Sequence, residues 1–148
     1  MLKKIQLVII FLTISSSYGK NYVFFLHNKF IEENSLETPH PEYGKAEYNE
    51  ILNEFRKAKC IVLSEKRSKN TDVKEYAQKI VTQIDSLFKI GISPKQITVI
   101  GTSKGGYIAQ YVSTYLKNPN VKFIFIGCFQ LTDIIETPEI QFCGKILT

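Results

Sequence analysis

The stretch Ile97-Thr-Val-Ile-Gly-Thr-Ser-Lys-Gly-Gly106 decides the fold. A short β-branched run ends at Gly101, Ser103 follows two residues on, and Gly105 and Gly106 open a segment with helical spacing. A serine at so abrupt a strand-to-helix turn takes a strained backbone conformation, and a side chain two residues before or after it collides with neighbouring backbone. Glycine at 101 and 105 removes both collisions, and Gly106 lets the helix lie close on the sheet. The Ser103 hydroxyl then stands above the sheet edge, with the Lys104 N–H aimed where a carbonyl oxygen would become an oxyanion. Three fixed positions match by chance in roughly one chain in twenty of this length, so the strand-then-helix setting carries the weight. The alternative, a turn that binds phosphate on its helix N–H groups, lacks the Gly-x4-Gly-Lys-Ser/Thr spacing.

On either side, apolar runs and helical patterns alternate. Tyr22 to His27, Cys60 to Leu63, Ile97 to Ile100, Val121 to Ile126 and Lys145 to Leu147 read as strands. Ala46 to Ala58 carries Ile51, Leu52 and Phe55 at helical spacing. Asp72 to Ile90 aligns Val73, Tyr76, Ala77, Ile80, Ile84, Leu87 and Phe88, with Asp72 and Glu75 as a capping pair and Gly91 as a stop. A further helix runs from Gly105 to Leu116, ended by Asn118-Pro119. Continuous apolar strands separated by helices predict a three-layer α/β/α sandwich around a parallel sheet of about five strands. Ligand sites in such sheets sit at the carboxyl ends of the strands, beside the point where the strand order reverses.

The amino terminus has a different character. Lys3 and Lys4 precede the apolar block Leu7 to Ile14 and the small-residue stretch Ser15-Ser-Ser-Tyr-Gly19, the layout of a secretory signal. The block is about half the ~20 residues of a membrane span. Residues 1–19 are therefore expected to be removed before Lys20, leaving an exported single domain, 20–148, with no stable membrane anchor. That domain has 17 basic and 14 acidic residues, a net charge of +3. So mild an excess, with no arginine-rich run or stacking-aromatic pattern, does not imply a nucleic-acid partner, and none is expected. Cys60, Cys128 and Cys143 fall at opposite strand ends, a strand length of ~17 Å apart against the ~7 Å reach of a disulfide, and read as free thiols. Cys128 reads as packing rather than as a nucleophile. No metal site or cofactor is expected.

With the elbow Gly101-Thr-Ser103-Lys-Gly105, the run Tyr22-Val-Phe-Phe-Leu-His27-Asn28-Lys29 resembles the first strand and His-Gly-x turn of the α/β-hydrolases. The resemblance covers nearly all of the exported domain and only the front portion of the family's, and it implies the strand order second, first, third, fourth, fifth, with the ligand crevice between the first and third strands. It implies a serine hydrolase acting on an ester or related acyl bond of a small-molecule substrate, with Ser103 as nucleophile and the backbone N–H groups of Lys104 and Lys29 as oxyanion donors. Asn28 stands where the family has glycine and is expected to take a left-handed backbone. The family orders serine, acid, then histidine, yet no histidine follows Ser103. The chain is accordingly expected to be a truncated hydrolase, slow or inactive as it stands, or else a non-catalytic binding domain of the same fold.

The remaining candidates are few. His27 reads as a loop-shaping residue satisfied by backbone. His40, between Pro39 and Pro41, lies in a surface loop, and a base must reach Ser103. Asp133 and Glu136 could supply an acid or be solvated loop carboxylates. Lys66, Arg67 and Lys69 could hold an anionic substrate group or form a plain basic loop.

Overall fold

The computed structural model describes residues 19–128 and 133–148. Residues 1–18, with most of the expected export signal, lie outside them.

Strands β1 (Tyr22–Leu26), β4 (Ile61–Leu63), β5 (Ile97–Thr102), β6 (Lys122–Ile126) and β7 (Lys145–Leu147) form one sheet in the order β4-β1-β5-β6-β7, every pair parallel. This is the expected order, reversing direction between β1 and β5. Helices α1 (Lys29–Glu33), α2 (Tyr48–Lys57), α3 (Val73–Lys89) and α4 (Lys104–Leu116) supply the connections, and α5 (Asp133–Glu136) is a single turn. A small antiparallel hairpin pairs β2 (Pro39–His40) with β3 (Gly44–Lys45).

The alternation of side chains across β1 divides the core. Phe24 and Leu26 pack with Val99 against Ile80 and Ile84 of α3 and Ile108 and Val112 of α4. Val23 and Phe25 pack with Ile100 against Ile31 of α1 and Tyr48 and Leu52 of α2. Helices therefore cover β1 on both faces, which is why its four residues after Tyr22 are all buried and all apolar.

Helix α3 starts where expected: the Asp72 carboxylate accepts from Lys74 N and Glu75 N, both at 2.9 Å, which satisfies two of the N–H groups a helix start leaves open. Its stop is Gly91, at φ +89°. On α4 the buried Ser113 hydroxyl donates to Cys143 O (2.7 Å) and accepts from Cys143 N (2.9 Å), while Thr114 Oγ1 accepts from Gln141 N (3.1 Å). These bonds fasten the segment leading into β7 to the helix.

Two elements differ from expectation. Residues after His27 form helix α1, and the loop around His40 contains the β2–β3 hairpin. Asn28 is extended (φ −73°, ψ 175°), not left-handed, because its side chain caps α1 by accepting from Ile31 N at 3.0 Å.

Candidate functional site

The carboxyl ends of β1 and β5 lie side by side, Leu26 opposite Gly101. From this edge the chain passes through Ser103 straight into α4. Ser103 has φ 49° and ψ −120°, a region a residue with a Cβ occupies only when its surroundings leave no other path. Those surroundings are backbone. A Cβ on Gly101 would meet the Gly105 carbonyl, and a Cβ on Gly105 would meet the carbonyls of Leu26 and His27, all closer than 3.0 Å. Ser103 N donates to Ile126 O at 2.9 Å, and Ser103 O accepts from Gly106 N and Tyr107 N. With its main chain held at both ends, the Ser103 side chain is exposed and is hydrogen-bonded to no described residue.

Lys104 and Lys29 are the first residues of α4 and α1, so their N–H groups have no intrahelical acceptor. Beneath them lies a charged cluster. Glu32 and Arg67 are 1% and 2% exposed, and Arg67 Nε donates to Glu32 Oε2 at 3.0 Å. Glu32 Oε1 accepts from Lys104 Nζ at 2.6 Å and from Thr71 N at 3.2 Å. Arg67 Nη2 donates to the carbonyls of His27 and Asn28. Burial alone would raise the Glu32 carboxyl, but the Lys104 and Arg67 hydrogen bonds outweigh it and hold the group below its ordinary range. Arg67 Nη1 is buried with no hydrogen-bond partner among the described residues; the guanidinium carbon lies 5.6 Å from the centre of the Tyr76 ring.

His27 is fully buried behind this cluster. Its Nδ1 donates to Asn28 O (2.8 Å) and its Nε2 accepts from Arg67 N (2.9 Å), so the neutral ring uses both nitrogens. Burial, reinforced by the Arg67 charge, lowers its pKa to about 4. It shapes the loop after β1. His40 belongs to the β2–β3 hairpin, stacked on Tyr43 with ring centres 4.7 Å apart, and its Nδ1 accepts from Glu42 N at 3.1 Å. Asp133 begins α5, and its side chain lies outside the described residues; Glu136 is exposed.

The basic loop separates into two kinds of residue. Lys66 and Lys69 are exposed, whereas Arg67 turns inward and is consumed by Glu32 and backbone carbonyls. An open cleft of about 540 Å³ beside Lys104 includes Lys29, Lys74, Thr71 and Tyr107 in its lining. Each lysine there already has a carboxylate partner: Lys29–Glu33 at 3.4 Å, Lys74–Glu139 at 3.0 Å and Lys104–Glu32 at 2.6 Å. The cleft is therefore close to electrically balanced and suits an uncharged group better than an anion. Cys128 is buried against Gly106 and serves packing. Among the described residues, no three of His, Cys, Asp and Glu are grouped to hold a metal ion, and no helix is long and apolar enough to cross a membrane.

Glu32 escaped the sequence reading. It sits in an ordinary polar segment, and its ionic partners are 35 and 72 residues away along the chain, so no local spacing signals it. Comparison with family models, with curated proteins and with solved structures gives no match.

Proposed function

We propose that this domain is a serine hydrolase of the α/β-hydrolase type, acting on an ester or related acyl bond of an exported-compartment substrate. The observation that carries the reading is the backbone of Ser103, φ 49° and ψ −120°, at an exposed turn between a central parallel strand and a helix. In the proposed step Ser103 Oγ forms a bond to the acyl carbon while its proton passes to solvent water, which also supplies the proton that the leaving group takes up. The carbonyl π pair moves onto oxygen, and the N–H groups of Lys104 and Lys29 receive that charge. Collapse expels the leaving group, and water later releases the acyl group.

The weak link is the proton. Both nitrogens of His27 are occupied in the core, and among the described residues neither His27 nor His40 is hydrogen-bonded to Ser103. Ser103 is then a poorly activated nucleophile, and turnover is expected to be slow. The same observation favours a second reading, a binding domain that keeps the cleft without the chemistry.

A fluorophosphonate probe with intact-mass detection separates the two. Stoichiometric labelling that maps to Ser103 and disappears in Ser103→Ala supports the hydrolase. A folded protein that stays unlabelled through prolonged exposure supports the binding domain.

A further inference from the structure

Four chain segments converge on one carboxylate. Glu32 extends from α1 and accepts from Lys104 at the start of α4 and from Arg67 and Thr71 in the connection between β4 and α3. Through Arg67 it is joined to the His27 and Asn28 carbonyls at the end of β1. Two of these segments carry the N–H groups assigned above to the oxyanion, Lys29 three residues before Glu32 and Lys104 bonded to it. We propose that Glu32 is the positioning residue of the Ser103 site, fixing the Lys29 and Lys104 donors relative to each other. The proposal rests on the hydrolase reading.

The physical argument starts from the cost of burial. A carboxylate 1% exposed is tolerated only when its oxygens are saturated by charged or N–H donors, and such a group resists displacement in every direction in which a donor holds it. Glu32 has three donors from two other segments. A surface pair such as Lys57–Glu54 also has a short contact, 2.7 Å, but joins two residues of one helix and both are exposed, so it fixes nothing. The α1 turn is five residues long, too short to hold its own orientation, and it needs such an anchor. Glycine at 105 brings α4 onto the Leu26 and His27 carbonyls, and Lys104, one residue earlier, ties the same helix start to Glu32.

The test is the fluorophosphonate reaction resolved into its saturation constant KI and its maximal rate kinact, corrected for the folded fraction measured by near-UV circular dichroism. Glu32→Asp keeps the charge but withdraws it by one methylene, and Glu32→Gln removes the charge. A lost alignment lowers kinact by about 10- to 100-fold while KI stays within about twofold, since reversible probe binding does not need the donors in register. Glu32→Asp decides the matter if Glu32→Gln fails to fold. Folded variants with wild-type kinact would overturn the positioning role while leaving the hydrolase intact. An unlabelled wild-type protein would overturn the hydrolase reading and this one with it.

Discussion

Ser103 sits in a backbone region costing on the order of 1–3 kcal/mol for a residue with a Cβ, and the protein holds it there through contacts that leave no slack. Strand β5 delivers it, the Ile126 carbonyl captures its N–H, and α4 begins at the next residue. Strain of this kind is testable because glycine relieves it. Ser103→Gly loses the Cβ penalty but adds about 0.5–1 kcal/mol of unfolded-state entropy. The variant is expected to be about 1 kcal/mol more stable than wild type, whereas Ser103→Ala, which keeps the Cβ, stays near wild type. Urea unfolding of the three proteins decides it: equal midpoints would mean the turn is not strained. A stability gain accompanied by loss of labelling would mark a position kept for function at the expense of the fold.

Where β1, α1, the β4–α3 connection and α4 meet, the junction depends on protonation. His27 is neutral in the folded protein, with its pKa lowered from 6.5 to about 4 by burial and the Arg67 charge. As pH falls below 6.5 the unfolded chain binds a proton that the folded one refuses until about 4, so stability drops across that window by about 3 kcal/mol. Glu32, held below its ordinary value, acts in the same direction at lower pH, because protonating it removes the partner of Lys104 and Arg67. The urea midpoint is expected to fall steadily from pH 7 to pH 4.5, and His27→Gln to flatten the upper part of that slope; an unchanged slope in the variant would remove His27 as its source. This junction was also the least legible part of the sequence. Helices α2, α3 and α4 and all five sheet strands could be placed within a few residues, since each carries its own 3.6-residue repeat or its own apolar run. Helix α1 spans little more than one turn and shows no period, and the β2–β3 hairpin is supported by the Phe30, His40 and Tyr43 rings rather than by alternation. Gly101, Ser103 and Gly105 announced the turn because its chemistry is local. Glu32, in an ordinary polar segment, announced nothing, and Arg67 showed only as part of a basic loop, because the partners are distant along the chain.

The two halves of the sheet are protected unequally. Around β1 both faces are covered, but the face bearing Ile100, Ile124 and Leu147 in register, with Ile126 beyond, is covered only over β1 and β5 among the described residues. Ile126 is 50% exposed and Leu147 63% exposed, on neighbouring strands at one edge. Such an edge invites association, and magnitude decides how much. Burying the exposed half of each side chain yields about 1 kcal/mol; two copies meeting face to face bury four such halves, about 4 kcal/mol. The loss of translational and rotational freedom consumes an amount of that order or more. Self-association through this face alone is therefore far weaker than millimolar, the affinity that about 4 kcal/mol would give with nothing subtracted. Sedimentation velocity should find a monomer from micromolar concentration up to several hundred micromolar. Ile126→Lys with Leu147→Lys should leave both the sedimentation coefficient and the melting temperature unchanged, because neither side chain is buried in the core. A tight dimer at micromolar concentration, or association indifferent to the two lysines, would place the contact elsewhere on the molecule.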